Sequence, residues 1–372
     1  LDRVDAHLEL LLNDLATLVE VESPSSDRAA LERSGKVLAD LFEHRLGRAA
    51  ELINGPAGPH VRWSGGGEPR VLLLGHHDTV FPLGTLERRP FTVAEGRATG
   101  PGVFDMKAGI VQAVHALALL SERLGPSGLA GVEVLLVCDE EVGSTTSREL
   151  IEARAAACGA VLVLEPSADG GALKTGRKGT GTFEVLVHGR AAHAGLEPER
   201  GHNALVEISR QVLNVIEFAD LERGTTVTPS VCAAGTADNV VPAEASIRID
   251  VRVTSAAEKE RIEGLIASLQ SHDPGCRIES SGGIGRPPMP ESASASLFPL
   301  AQAVDPSISG ITVGGGSDGN FTAAIGVPTL DGLGAVGGGA HADHEFVEVA
   351  TMPARVQLLA GILTRILQPA GG

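Results

Sequence analysis

The sequence predicts an α/β protein whose mainly parallel sheet belongs to a discontinuous domain, interrupted by a smaller ferredoxin-like α+β domain. Two patterns predict this. Short runs that are apolar almost throughout, at residues 71–75, 132–138 and 160–164, stand among helical stretches, as parallel strands covered on both faces do. From Gly179 the order becomes strand, helix, strand, strand, helix, strand, the split βαβ arrangement. A length of 372 residues independently favours two domains.

The elements follow in order. Val4, Leu8, Leu11, Leu12, Leu15 and Val19 recur at helical spacing and Pro24 follows, so the chain opens on an amphipathic helix. A helix from Met106 to about Leu124 separates the first two apolar runs. In the smaller domain the pattern predicts strands at 182–188, 226–233, 245–253 and 277–280, with helices at 203–218 and 256–270. The chain turns at Gly285-Arg286-Pro287-Pro288, then returns to the α/β style with a strand near 308–313 and helices near 319–325 and 352–367. Residues 1–177 and 287–372 are therefore assigned to one domain and 178–286 to an insertion. Glycine triplets at 65, 314 and 337 mark tight loops; the second lacks the Gly-Lys-Ser/Thr of a phosphate loop.

Composition narrows the function. Lys and Arg total 30 against 47 Asp and Glu, a formal charge of −17 that disfavours nucleic acid and anionic membranes as partners. No apolar run reaches the ~20 residues of a membrane span. Cys138, Cys158, Cys232 and Cys276 form no CxxC pair and read as thiols of a reducing compartment. A cytoplasmic location is the expectation, with periplasmic or secreted placement left open because the sequence begins at Leu1.

The acidic and imidazole side chains fall at strand ends, where open α/β sheets bind ligands. His76 and Asp78 follow one strand, Asp139, Glu140 and Glu141 the next, Glu165 a third, and Asp105 ends the loop Gly100-Pro101-Gly102-Val103-Phe104-Asp105. Clustered carboxylates repel, and a divalent cation is the simplest remedy; nitrogen and oxygen ligands suit zinc, cobalt or manganese. Alternation along a strand puts His76 and Asp78 on one side and His77 on the other, making His76 the better ligand and Asp78 the group that orients its ring. The same alternation separates Glu140 from Glu141, so that one can hold a metal while the other meets the attacking water.

His76-His77-Asp78-Thr79-Val80, Gly102-Val103-Phe104-Asp105-Met106-Lys107, Asp139-Glu140-Glu141, Leu164-Glu165-Pro166, Gly189-Arg190-Ala191-Ala192-His193-Ala194-Gly195 and Gly338-Gly339-Ala340-His341 together resemble the M20 metallopeptidases, most closely their glutamate carboxypeptidase branch. The resemblance runs in order over nearly the whole chain. An isolated HxD would read as a satisfied core histidine; in register with five other motifs it reads as a ligand.

The resemblance implies two metal ions, zinc first, with His76 and Glu165 on one, Glu141 and His341 on the other, and Asp105 bridging. It implies a cis peptide after Asp105, Glu140 as general base, and His193 as oxyanion donor in a lid domain that also forms a homodimer. Asn239 and Arg286 would grip the substrate's α-carboxylate. His344, which follows His341 closely, reads as a surface or supporting residue. The implied activity is cleavage of an amide bond to a C-terminal, acidic amino acid; the alternative is an N-acyl-amino-acid deacylase using the same residues. A binding protein without catalysis would have no need of Glu140.

Overall fold

The structure is a computed structural model that describes the backbone of residues 2–368 and the side chains of residues 7–368. Among these, six strands form the main sheet: β1 (Glu51–Asn54), β2 (Pro59–Ser64), β3 (Val71–His76), β4 (Val132–Val137), β5 (Ala160–Val163) and, at one edge, Thr329–Leu330. The spatial order is β1-β2-β4-β3-β5 followed by that edge. β4, β3, β5 and the edge strand run parallel, whereas β1 and β2 form an antiparallel hairpin joined to β4.

Alternation along the central strands divides the core. Val71 and Leu73 of β3 and Val132, Val134 and Leu136 of β4 join one cluster, with α1 (Asp2–Val19), α3 (Ala108–Leu124) and α7 (Met352–Leu367). Leu72, Leu74, Leu135 and Val137 face a second cluster containing Ile151 and Ala155 of α4 (Arg148–Ala156). Burial on both faces is why these strands are continuously apolar. Leu8, Leu11, Leu12, Leu15 and Val19 of α1 all pack on the first cluster, while the side chain of Val4 lies outside the described ones.

Some expectations are corrected. A helix at α2 (Arg28–Leu46) and the β1–β2 hairpin were not anticipated. α2 is bracketed by Asp27, whose side chain accepts from Ala30 N, and by Gly47 at φ 68°, but Ser34 and Gly35 on its buried face break the apolar pattern. α3 starts at Ala108 rather than Met106, because residues 103–107 form a wide turn with Asp105 and Met106 out of helical conformation. The strand expected at 277–280 continues to Arg286. Val103–Leu124 does have the length and apolarity to cross a membrane, but most of its residues are buried, as in a core helix.

The chain divides into two units. The first comprises Leu1–Gly176, Pro290–Val313 and Ser317–Gly372; the second comprises Arg177–Met289 with Gly314–Gly316. In the second, β6 (Gly179–His188), β7 (Thr226–Ala234), β8 (Glu244–Val253) and β9 (Arg277–Arg286) form an antiparallel sheet of order β7-β8-β6-β9, the ferredoxin-like order. Phe183, Val185, Val187, Ile247, Ile249 and Val251 pack against Ile208 and Val215 of α5 (Ala204–Ile216) and Ile262 and Ile266 of α6 (Ala256–Ala267). Gly315 joins this unit through its carbonyl, which accepts from Arg177 Nη1 at 3.0 Å.

A buried carboxylate pins α6. Ser255 caps the helix by accepting from Glu258 N, and the Glu258 side chain accepts from Arg261, Thr225 and Arg223 at 2.6–3.0 Å. The Arg261 guanidinium first, then Thr225 and Arg223, hold its carboxyl at about 2, below the ordinary 4.5. A depressed folded-state pKa contributes stability that is complete above the unfolded value and lost as pH falls through the folded one. Glu258→Gln should therefore cost on the order of 2 kcal/mol near neutral pH, with the difference from the parent closing between about pH 4.5 and about pH 2. Denaturant titrations at stepped pH measure this, and a difference that does not change with pH would contradict it.

Candidate active site

His76, the last residue of β3, is buried, and its ring is fixed at both nitrogens. Nδ1 lies 3.1 Å from the Asp78 carbonyl oxygen and 3.4 Å from Asp78 Oδ1. A proton on Nδ1 satisfies that carbonyl and leaves Nε2 as the coordinating nitrogen. Nε2 lies 3.2 Å from Asp105 Oδ1 and 3.6 Å from Glu165 Oε1. Burial opposes a charged ring, but Asp105 and Asp78 outweigh it and raise the His76 pKa well above the usual imidazole value. The surroundings thus favour positive charge at this ring. His77 points the other way, to Ser34 Oγ at 3.1 Å and the Pro59 carbonyl at 3.0 Å, and burial pushes its pKa down to about 4. It is a neutral core histidine.

Asp105 arrives on a loop that backbone geometry constrains. Gly102 sits at φ 71°, and a Cβ there would lie 2.5 Å from Thr79 Cγ2, so only glycine fits. The Asp105–Met106 peptide is cis. Glu345, fully buried, accepts from Gly102 N, Phe104 N and Asp105 N, each at 2.9 Å, and so holds the loop from below. Burial pushes the Glu345 carboxyl up to about 7 against those three bonds. The two oxygens of Asp105 face different rings, Oδ1 toward His76 and Oδ2 toward His341 Nε2 at 3.4 Å. Burial would raise the Asp105 pKa, but His341 and His76 outweigh it and hold the group well below the carboxylate range.

Glu140 and Glu141 lie in a 3-10 turn after β4, not on an extension of the strand, so the turn rather than strand alternation separates them. The Asp78 carboxylate organises this turn. Oδ1 accepts from Glu140 N and Oδ2 from Glu141 N, both at 3.2 Å, and Oδ2 also accepts from Ser25 Oγ at 2.7 Å. Asp139 closes the far side by accepting from Thr146 N and Thr146 Oγ1, each at 2.8 Å. Glu141 Oε2 lies 2.9 Å from His341 Nε2; burial raises the Glu141 pKa against that contact. Glu140 is near enough to act electrostatically on both His76 and Glu141.

His341 follows the third glycine triplet at φ 63°, a left-handed conformation uncommon for a side-chain-bearing residue. Its side chain is 54% exposed, and Asp105 and Glu141 raise its pKa to about 10. Glu165, buried just beyond β5, accepts at its carbonyl from Gly334 N. His344 is exposed.

Two groups of ligand-type side chains result, His76 with Asp105 and Glu165, and Asp105 with Glu141 and His341. Within each group the ligating atoms lie within 4.8 Å of one another. Each offers one imidazole nitrogen and two carboxylates, and Asp105 belongs to both. Two divalent cations would balance Asp105, Glu140, Glu141 and Glu165 charge for charge, so the donor set fits a two-metal centre.

In the second unit, His193 Nδ1 accepts from Gly195 N at 3.1 Å and Leu196 N at 3.2 Å. The neutral ring then carries its proton on Nε2, an exposed donor. The His193–Val240 bridge and the bond from Ala194 N to the Asn239 carbonyl bring Asn239, in an exposed turn, beside this histidine. Arg286 is buried and ends β9 opposite Thr180 instead of standing in the Gly-Pro turn.

Sequence reasoning passed over Glu345, Ser25 and the role of Asp139. Glu345 stands four residues after His341, but its partners are main-chain N–H groups more than 200 residues away, which leave no trace in a motif.

The model for peptidase family M20/M25/M40 matches residues 72–365. The chain is 31% identical to carboxypeptidase G2 of Pseudomonas sp., over 95% of this chain and 88% of that one. It is 30% identical to succinyl-diaminopimelate desuccinylase of Halorhodospira halophila, over 87% and 90%. A tripeptidase from Staphylococcus aureus shares its fold with TM-score 0.77 at 20% identity, covering 97% of this chain and 99% of that one. The Bacillus subtilis YXEP protein, a dinuclear metal binding peptidase of the M20 family, does so with TM-score 0.67 at 15% identity, covering 98% and 99%.

Glu345→Gln keeps the size but sets an NH2 group against N–H donors and so removes an acceptor that orders the Asp105 loop. Such supporting contacts are commonly worth 10–100-fold in metal affinity. The expected result is a loss of that order in affinity for added zinc, read by competition with a chromophoric chelator; unchanged affinity would contradict the role given to Glu345.

Proposed function

The chain belongs to peptidase family M20/M25/M40 and is a metallohydrolase of that family; on that premise we propose that it cleaves an amide bond to a C-terminal, acidic amino acid, in the manner of a glutamate carboxypeptidase. The observation that carries the reading is the Asp105 carboxylate, whose two oxygens face two different imidazoles. The 31% identity to carboxypeptidase G2 supports the substrate class. A desuccinylase at 30% identity favours a second reading, N-acyl-amino-acid deacylation by the same residues.

In this reading His76, Asp105 and Glu165 hold one metal and Asp105, Glu141 and His341 the other, with zinc preferred and cobalt or manganese as alternatives. When bound, the pair supplies Lewis acidity that acidifies water and polarises the scissile carbonyl. The Glu140 carboxylate takes the proton of the attacking water and delivers it to the leaving nitrogen. Asp78 keeps the His76 ring and the Glu140–Glu141 turn in register. His193 donates Nε2–H to the developing oxyanion, from its own chain or a partner's, a contribution of roughly 3 kcal/mol. Asn239 and Arg286 bind the α-carboxylate.

Glu140→Gln should lower kcat by about 10²–10⁴-fold while metal content stays at the parent level. Release of free amino acid from a panel of dipeptide, N-acetyl and N-succinyl substrates measures both this loss and the substrate class. Selectivity for C-terminal glutamate or aspartate agrees with the carboxypeptidase reading, turnover confined to the N-acetyl and N-succinyl substrates replaces it with the deacylase, and an unimpaired Glu140→Gln overturns the assigned base.

Homodimerisation through the second unit is part of the proposal. Leu205, Val206, Leu213 and Ile216 of α5 are exposed at 39–65%, and β7, with exposed Val231, is an edge strand. Light scattering should return twice the chain mass of 38.2 kDa; a monomer at micromolar concentration would remove this part.

A further inference from the structure

Among the described residues, one cluster of potential ligands lies apart from the two that share Asp105. His60 on β2, with Cys138 and Asp139 just past β4, is buried throughout, at 2%, 0% and 0% exposure. β2 and β4 are antiparallel neighbours with Val61 opposite Leu136, so the next step along the ladder sets His60 beside the end of β4. One nitrogen of His60, the Cys138 sulfur and one carboxylate oxygen of Asp139 all lie within 4.8 Å of one another.

Two buried polar atoms here have no hydrogen-bond partner among the described residues, His60 Nδ1 and Asp139 Oδ1. Asp139 Oδ2, by contrast, is satisfied by Thr146. Buried polar atoms are nearly always partnered, so each unmatched one calls for an explanation. A shared occupant would account for both at once. Its charge follows from the donors: an unpartnered carboxylate oxygen and an imidazole that burial holds toward its neutral, lone-pair-bearing form both offer electron pairs to a cation. Gly55 lets the backbone approach the ring on its Nε2 side, where a Cβ would lie 2.6 Å from that nitrogen.

We propose that His60, Cys138 and Asp139 form a further cation site that takes a zinc-class divalent ion and serves a structural role. A nitrogen, sulfur and oxygen donor set is that of a borderline metal, and sulfur distinguishes it from the two groups that share Asp105. Burial pushes the Cys138 thiol up to about 12, which keeps it protonated in the free site; on coordination the metal–sulfur bond replaces the S–H bond and the thiol proton leaves to solvent. An ion here ties the β2 strand to the residue that opens the Glu140–Glu141 turn. It would brace the base and one metal ligand from behind without meeting substrate.

Cobalt(II) is the probe, because thiolate coordination gives it a near-ultraviolet charge-transfer band that imidazole and carboxylate ligands do not. The full chain, with the exposed Cys232 changed to Ser, is loaded with cobalt in place of its resident metal. Expected are a cobalt–thiolate band equivalent to one ion per chain, its loss in Cys138→Ala, and a fall of one cobalt per chain in that variant. Should Cys138→Ala fail to fold, His60→Gln retains the sulfur and should weaken the affinity reported by the band at least tenfold. Absence of the band from the parent, its survival in Cys138→Ala, or unchanged affinity in His60→Gln would each overturn the site. The sulfur signature is independent of turnover, so this result and the activity assigned to Glu140 stand or fall separately.

Discussion

The carboxylate of Asp78 joins the ends of two adjacent parallel strands. It stands beside the His76 ring at the end of β3 and accepts the N–H groups of Glu140 and Glu141 after β4, with Ser25 as a further donor. A buried carboxylate is tolerated only where donors surround it, and here those donors are the turn that carries the reactive glutamates. His76, Glu140 and Glu141 therefore share one reference point. Burial would raise the Asp78 pKa, yet His76 and Ser25 keep it low, so the anchor remains an acceptor.

Glu345 does for the Asp105 loop what Asp78 does for the glutamate turn. Both gather main-chain N–H groups that a tight loop cannot pair within itself, and Asp78 in addition meets the His76 ring directly. The Asp105 loop and the Glu140–Glu141 turn, which bring carboxylates together at the centre, are thus each supported by a further carboxylate beneath. The resulting concentration of negative charge is unfavourable unless positive charge occupies the middle. The raised pKa values of His76 and His341 express that requirement in the protein's own groups.

The parts legible in sequence were those whose physics is local. Val71 to His76, Val132 to Val137 and Ala160 to Val163 announce themselves because strands buried on both faces must be apolar throughout. Met352 to Leu367 shows the same directness with helical spacing. His76, Glu140, Glu141 and Glu165 were visible because they stand at or just past the ends of those strands, whereas Asp105 and His341, on loops, were legible through the motifs around them. α2 was hidden because Ser34, bonded to His77, and Gly35, packed near Pro59, put small residues where apolar ones were sought. Ser25 and Glu345 were hidden because they act on groups far along the chain, and hydrogen bonding to a distant backbone imposes no periodicity. The separation of Glu140 from Glu141 was anticipated for the wrong reason, since a turn and not a pleat produces it.

In the proposed mechanism Asp105 is shared between two metal ions, which anomalous diffraction at the zinc edge from crystals grown with zinc can reveal. Two peaks should flank the Asp105 carboxylate, about 3.5–4 Å apart, one against His76 and Glu165 and the other against Glu141 and His341. A single peak at this carboxylate, or peaks that leave either histidine without an ion, would contradict that sharing.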